Sequence, residues 1–158
     1  MGDHEQAIKD YGRAIGLDPS LTLIYGNRGA AYQTLGEYQL AINDFDQAIR
    51  LDPDQGSTYA NRGTAYSSLS QYQEAINDYD RAIALNPGVA RTYNNRGGAY
   101  FNLGEYQRSV DDFGKAIQLE PDYASAYQNR GLAYVELGQP NRAEADQAKA
   151  CSLDKQRC

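Results

Sequence analysis

Apolar and small side chains recur along the chain with a period of 34 residues, and each period holds two separate helical stripes. When the repeat is numbered from the residue three before Tyr25, these side chains occupy positions 4, 8, 11 and 14, and then 20, 24, 27 and 28. Spacings of three and four residues place side chains on one face of an α-helix. The pattern therefore predicts two amphipathic helices in every repeat.

Turn residues separate the two helices and recur with the same period. Gly36, Ser70, Gly104 or Gly138 lies between the stripes, where a left-handed backbone ends the first helix, and Ser70 is the one strained choice. A proline follows the second helix and starts the next turn. The prolines are Pro19, Pro53, Pro87 and Pro121. Each repeat is thus predicted to be a helix–turn–helix.

Antiparallel pairing of the two helices sets a large side chain opposite a small one at every level of the hairpin. Such interdigitation lets helices approach closely at native packing density. The apolar faces that remain must be covered by the next hairpin, so the predicted fold class is all-α, an α-α superhelix of stacked hairpins. In the third repeat the predicted pairs are Tyr93 with Ala116, Gly97 with Phe113, and Tyr100 with Ser109.

Four full repeats and one partial repeat account for the chain without an insertion. The partial repeat is predicted at 1–19, where only a second helix is present, and the full repeats at 20–53, 54–87, 88–121 and 122–155, followed by a tail at 156–158. The second helix of the last repeat, about 140–153, carries polar residues where earlier repeats are apolar, which is typical of a solvating cap. The replacements there are Pro140, Glu144, Gln147 and Cys151.

Composition and charge exclude several classes of function. The 158 residues carry 15 Lys and Arg against 21 Asp and Glu, a formal net charge of -6, which argues against a nucleic-acid partner. No run of about 18 apolar residues is present, so membrane insertion is not expected. His4 is the only histidine, and Cys151 and Cys158 have no partners at metal-ligand spacing. We expect no catalytic residues, no metal and no cofactor.

The repeat reads Y-x-N-R-G-x-A-Y-x-x-L-G-x-Y-x-x-A-I-x-D-(F/Y)-x-x-A-I-x-L-x-P, and it resembles the tetratricopeptide repeat (TPR) family. The resemblance covers nearly the whole chain, with tyrosine in place of the usual tryptophan at position 4. It implies a right-handed solenoid of antiparallel helix hairpins. It also implies a protein or peptide ligand, bound in the concave groove that the first helices line.

One departure from the family pattern is systematic. Position 7 is arginine instead of leucine, and position 23 is aspartate instead of an aromatic residue. Because the two positions lie level across the hairpin turn, we expect an Arg–Asp pair within each repeat or between neighbours. Binding of an acidic ligand by these arginines is the alternative, which is disfavoured because Arg and Asp recur together. The residues are Arg28, Arg62, Arg96 and Arg130, with Asp10, Asp44, Asp78, Asp112 and Asp146.

The stripe at positions 2, 5, 6, 9, 12 and 13 of each first helix faces the concave side in the family. Here it is small, polar and nearly uncharged. Asparagine recurs at position 6, and its amide both donates and accepts, so a row of such residues matches the main chain of an extended peptide. Some peptide-binding family members, among them the glycosyltransferase that attaches N-acetylglucosamine to Ser and Thr, carry a similar asparagine ladder. The alternative is that these amides only bond a neighbouring helix.

The candidate peptide-binding residues follow from this stripe. The third repeat has the richest cluster, in which Phe101 offers an apolar anchor and Arg91 a charge-assisted donor to a carboxylate or carbonyl. Gly26 and Ala30 replace the Lys and Asn of the chaperone-tail clamp of the family, so chaperone tails are not expected. The candidates are Asn27, Asn61, Asn95 and Asn129 for the peptide main chain, with Arg91, Asn94, Phe101 and Asn102.

A non-enzymatic interaction module is the function that these residues favour. A self-assembling scaffold is an alternative, because the helix within residues 1–19 lacks a partner helix and offers a homodimer contact. A recruiting arm of a larger enzyme is another. We expect the chain to be a piece of a longer protein, and a cytoplasmic location, since no export signal is visible.

Overall fold

Helices alternate with short turns through residues 2–154, the part of the chain that the computed structural model describes. No strand occurs in that range, and the predicted all-α class is confirmed. The predicted tail at 156–158, with Cys158, lies outside the described residues. The helices are α1 Gly2–Leu17, α2 Thr22–Thr34, α3 Tyr38–Leu51, α4 Gly56–Ser68, α5 Tyr72–Leu85, α6 Ala90–Asn102, α7 Tyr106–Leu119, α8 Ala124–Glu136 and α9 Pro140–Leu153.

The helices form two units that divide after Leu85. In the first unit, α2 packs against α3 and α4 against α5, while α1 packs on α2 and α3 on α4. In the second unit, α6 packs against α7 and α8 against α9, and α7 joins the two hairpins through its contact with α8. Within each unit a helix hairpin is thus covered by the next, as the sequence predicts.

The four predicted helix-ending residues all adopt the left-handed backbone. Gly36, Gly104 and Gly138 have φ of 80°, 76° and 69°, and Ser70 has φ of 60°. In the first of these turns, the amide of Glu37 donates to the carbonyl of Tyr32, which uses one of the carbonyls that the end of α2 leaves without a helical partner. The turn brings the following helix back after only three residues.

Glycine at position 8 of the first helix makes room for the aromatic ring of the second. A Cβ atom on Gly97 would lie 2.9 Å from Cε1 of Phe113, and one on Gly63 would lie 2.9 Å from Cε1 of Tyr79. The predicted Gly97–Phe113 pair is therefore confirmed. Phe45, Tyr79 and Phe113 are the largest fully buried side chains, so these crossings are the centre of the core.

The core differs from the predicted stripe at two positions. Leucine at position 14 was expected inside, but it is the C-cap residue at the tip of each hairpin, where Leu69 and Leu103 are exposed and Leu35 and Leu137 are half-buried. Alanine at position 10, which the stripe omitted, is buried in all four first helices. These residues are Ala31, Ala65, Ala99 and Ala133. A side chain no larger than a methyl group lets neighbouring helices approach there.

An Arg–Asp pair joins the two helices of every full repeat, as predicted. Nε and Nη2 of each arginine donate to the two oxygens of the aspartate 16 residues later, at 2.6–2.8 Å. The aspartates are buried. Asp10, in the partial repeat, instead bonds Gln6 and Arg13 of its own exposed helix. The four pairs are Arg28–Asp44, Arg62–Asp78, Arg96–Asp112 and Arg130–Asp146.

Helix α9 has a more polar surface than the second helices before it. Pro140 lies in its first turn, and Glu144 and Gln147 are exposed where earlier repeats bury apolar or aromatic side chains. Its buried residues are Ala143, Asp146 and Ala150. Of the helices in residues 2–154, none has the length and apolarity that crossing a bilayer requires.

Candidate functional site

The predicted site residues divide between the two units. Asn27 on α2 is exposed and Asn61 on α4 is half-buried in the first unit, while the other six lie on α6 and α8 in the second. On α6 they fall on one face, because they are spaced by three, four or seven residues. Five of the six share one face of α6, and Asn129 lies on the neighbouring helix α8; the five are Arg91, Asn94, Asn95, Phe101 and Asn102.

A pocket of about 170 Å³ lies among α6, α7 and α8 of the second unit. Three of the predicted residues line it. Gly98 carries no side chain, so the pocket reaches down to a residue of the buried core. The lining residues are Gly98, Phe101, Asn102, Phe113, Asn129 and Leu132. The mouth is amide-bearing and uncharged, and the floor is apolar.

Phe101 is held in a fixed position beside this pocket. Its ring meets that of Tyr106 edge to face, with 5.3 Å between centroids and 65° between planes. It also packs on the core cluster of Val110, Phe113 and Ala133. An aromatic side chain fixed in this way offers apolar contact at little further entropy cost. Leu132 is exposed on the facing helix and extends the apolar surface.

A hydrogen bond orients two of the predicted amides. Nδ2 of Asn129 donates to Oδ1 of Asn94 at 3.1 Å, which links α8 to α6. Within the described residues, Oδ1 of Asn129 and Nδ2 of Asn94 make no hydrogen bond. Asn129 thus bonds a neighbouring helix, which was the alternative interpretation of position 6, and the pair keeps one acceptor and one donor group that no described residue uses.

Arg91 lies apart from the pocket. It is exposed in the first turn of α6, one helical turn before Asn94 and Asn95, and it does not line the cavity. Asn102 lines the pocket, and its Nδ2 donates to the carbonyl of Gly98 on its own helix at 2.8 Å. Its oxygen is the group that remains for a ligand.

In the first unit three hydroxyl side chains of the stripe, those of Thr34, Thr64 and Ser68, bond their own helices. Thr34 donates to the carbonyl of Ala30, and Thr64 donates to the carbonyl of Ala60. Within the described part of the chain, the amides of Asn27 and Asn61 make no hydrogen bond. The donor and acceptor groups of these two amides are therefore not used by any described residue.

The arginines at position 7, next to the stripe, are each paired with an aspartate. Hydrogen bonds from Arg62 to Asp78 and to Asp46 raise the pKa of Arg62, and the bond to Asp146 likewise raises the pKa of Arg130. Both guanidinium groups therefore stay charged at any pH at which the protein is folded. No three His, Cys, Asp or Glu side chains of residues 2–154 gather as metal ligands.

Sequence reasoning missed two features of this region. Phe113 was assigned to the core alone, yet it also forms the pocket floor, and the signal for this was glycine at both Gly97 and Gly98 above it. The contact from Nη1 of Arg62 to Asp46 on α3 was also missed. Its signal was aspartate at position 25, which some repeats replace by glycine.

Family models match most of the sequence. One described as "TPR repeat" matches residues 1–36 and 97–138, and two described as "Tetratricopeptide repeat" match 23–55 with 57–89, and 124–157. No curated protein sequence matches the chain.

Several solved structures share the fold along nearly the whole chain. A MamA crystal structure is 29% identical with a TM-score of 0.92, over 99% of this chain and 91% of that one. YrrB, titled a TPR protein with an unusual peptide-binding site, is 25% identical with a TM-score of 0.83, over 98% and 79%. MamA from Desulfovibrio magneticus RS-1 is 23% identical with a TM-score of 0.92, over 98% and 88%, and shows the fold alone. The helix hairpins, the period and the matching models agree that the chain belongs to the tetratricopeptide repeat family.

Proposed function

We propose that the chain is a non-enzymatic protein-interaction module that binds extended peptide segments along the first helices of its repeats. The observation that carries the proposal is the pocket lined by Phe101 and by the amide of Asn129, which a hydrogen bond to Asn94 orients. An apolar floor with a few fixed polar groups is the usual composition of a binding site. The likeness to YrrB, whose title names a peptide-binding site, supports the same class of ligand.

The residues of the second unit take distinct roles in this proposal. An apolar side chain of the peptide enters between Phe101 and Leu132. The oxygen of Asn129 and the amide nitrogen of Asn94 bond the N–H and C=O groups of the peptide main chain beside it. Arg91, outside the pocket, contacts a carbonyl or a carboxylate further along. In the first unit, Asn27 and Asn61 contact a main-chain stretch of their own.

Selection of peptides from a random library with the purified chain tests the proposal. Selected peptides should share one apolar residue. Asn129→Ala should weaken the affinity for these peptides by about tenfold, the equivalent of one lost hydrogen bond. Asn77→Ala is the matched control, because Asn77 is exposed on a second helix. Equal binding by Asn129→Ala, Phe101→Ala and the control contradicts the proposed site.

The ladder itself has a separate test in the double variant Asn61→Ala, Asn95→Ala. It should weaken peptide binding with little change in melting temperature, since both residues are half-buried on helix surfaces. Because the stripe is nearly uncharged, affinity for a neutral peptide should depend weakly on salt. Unchanged affinity in the double variant rules out the ladder.

Self-assembly through α1 is a second candidate. Leu17 at the end of α1 is 89% exposed, and the apolar residues of that helix are half-buried instead of buried. A second chain packed on this face would cover them. Light scattering over a concentration series measures this directly, and a strict monomer at the highest concentration rules out this contact.

A further inference from the structure

The arginines of the Arg–Asp pairs have a third donor group that the pair does not use. Nε and Nη2 bond the aspartate of the same hairpin, which leaves Nη1 directed at the preceding second helix. At Arg62 this group donates to the carboxylate of Asp46 on α3. Arg62 and Asp46 therefore show how a carboxylate binds to the outer edge of this guanidinium group.

At two other arginines the residue equivalent to Asp46 is a glycine. Gly12 on α1 lies beside Arg28, and Gly114 on α7 lies beside Arg130. A Cβ atom built on either glycine would be 3.7 Å from Nη1 of its arginine. Neither Nη1 has a hydrogen bond to another described residue. Space for a carboxylate is thus present where the chain supplies none.

Aromatic rings hold these guanidinium groups in place. The central carbon of Arg28 lies 5.9 and 6.0 Å from two ring centroids, and that of Arg130 lies 5.6 and 5.8 Å from two others. Together with the two hydrogen bonds to aspartate, this contact fixes the orientation of Nη1. A ligand then finds its donor already ordered, which lowers the entropy cost of binding. The flanking residues are Tyr25 and Tyr32 for Arg28, and Tyr127 and Tyr134 for Arg130.

The position is accessible from solvent. The side chain of Asp46 is 41% exposed while it contacts Arg62, so a carboxylate at that place projects from the surface. The side chains of Arg28 and Arg130 are each 21% exposed. An acidic side chain on another molecule can therefore reach the same position without any change in the fold.

We propose that the Nη1 edges of Arg28 and Arg130 each bind the carboxylate of an acidic side chain on a partner protein, in the place that Asp46 takes beside Arg62. Arginine suits this role, because its planar group can bond one carboxylate through Nε and Nη2 and a second through Nη1. These contacts are independent of the asparagine stripe and its pocket.

The two sites differ in their surroundings. One helical turn before Gly12 is Lys9, whereas one turn before Gly114 is Asp111. Arg13 also lies near the first site, although it bonds Asp10, and Lys115 follows Gly114. Attraction by Lys9 and repulsion by Asp111 make the site at Arg28 the tighter one.

Acetate, the smallest carboxylate probe, tests the sites by NMR of arginine side-chain nitrogens at constant ionic strength. The Arg28 and Arg130 signals should shift and saturate, with Arg28 saturating first, while Arg62 should not respond because Asp46 occupies its Nη1. Asp46→Ala should make Arg62 responsive. Equal, unsaturated shifts at all of these arginines, with or without Asp46, overturn the proposal.

Filling the site is the complementary experiment. Gly114→Asp should abolish the response of Arg130 and leave that of Arg28 intact, whereas Gly114→Asn, equal in size but uncharged, should retain part of it. A persisting Arg96 signal, which comes from the same unit as Gly114, shows that each variant is folded. A response of Arg130 that survives unchanged in Gly114→Asp overturns the assignment of the site.

A peptide pair then separates a free anion from a side chain. A blocked Gly-Glu-Gly peptide should shift Arg28 as acetate does, and the same peptide with glutamine should not. If acetate alone shifts the signals, the sites bind small anions, and the proposal of a partner side chain is wrong.

Discussion

The carboxylate of Asp146 accepts two hydrogen bonds from Arg130 across the last hairpin, at 2.7 Å from Nε and 2.8 Å from Nη2. The side chain of Arg130 is 21% exposed and that of Asp146 is 9% exposed, so both charges are largely removed from water. Removal of either partner would leave the other charge buried without compensation. Such a pair fixes the register of the two helices, while its net stabilisation is small compared with the cost of breaking it.

Asp146→Ala is expected to lower the free energy of unfolding by about 3 kcal/mol, because Arg130 then has no carboxylate partner. Arg130→Met should cost a similar amount, and the double variant less than the sum of the two. Urea denaturation of the four proteins measures this coupling. Asp10→Ala is the matched control, since Asp10 holds the same repeat position on an exposed surface, and it should change stability by less than about 0.5 kcal/mol. Additive losses would contradict coupling between the two residues.

Gly97 and Gly98 are neighbours on α6 that should respond oppositely to alanine. A methyl group on Gly97 would lie 2.9 Å from Phe113, so Gly97→Ala should destabilise the protein by about 1–3 kcal/mol through overpacking. Nothing lies within 4 Å of a methyl group on Gly98, so Gly98→Ala should gain the helix propensity of alanine, about 1 kcal/mol. Thermal unfolding of both variants checks this. A gain in stability for Gly97→Ala would show that Phe113 can move aside.

The fold could be predicted from the sequence because each repeat carries the same pattern of apolar, turn and charged residues. Recurring glycine and serine marked the left-handed turns, and the recurrence of arginine with aspartate at a fixed separation marked the pairs. Because the period is 34 residues, each of these features occurs once in each of the four full repeats. These features depend on contacts within one hairpin, where the turn fixes which residues meet.

Contacts between successive hairpins were harder to predict. The bond from Arg62 to Asp46 and the bond from Asn129 to Asn94 both join different repeats, so they depend on how closely the hairpins stack. The pocket depends on the same spacing, because its lining residues come from three helices, α6, α7 and α8. The spacing of apolar residues in the sequence shows which face of a helix is buried, but it does not give the distance between successive hairpins.

Ser70 adopts φ of 60°, whereas the equivalent positions in the other repeats are glycine. A side chain costs about 1 kcal/mol in this backbone region, so Ser70→Gly should raise stability by about that amount. The variant gives up only a long bond of 3.3 Å from the hydroxyl of Tyr72 on an exposed surface. Gly104→Ser is the reverse experiment and should lower the melting temperature. If both substitutions shift the melting temperature in one direction, backbone strain is not the cause.

Asp18 and Asp78 should titrate on opposite sides of the usual aspartate pKa of 3.8. Hydrogen bonds from the hydroxyl and the backbone amide of Ser20 lower the pKa of Asp18. Burial raises the pKa of Asp78, and the hydrogen bonds from Arg62 only partly offset this. Carbon-detected NMR titration of the folded chain measures both carboxyl groups.

The two shifts have opposite consequences for stability. The raised pKa of Asp78 adds to the free energy of unfolding. This stabilisation is fully present below pH 3.8 and is lost as the pH rises through the higher folded-state pKa. The stabilisation from Asp18 is present above pH 3.8 and is lost as the pH falls through its lower folded-state pKa. Arg62→Met should raise the pKa of Asp78 further and leave Asp18 unchanged. An Asp78 carboxyl that titrates below Asp18 would mean that the guanidinium outweighs burial, so that acid weakens the pair.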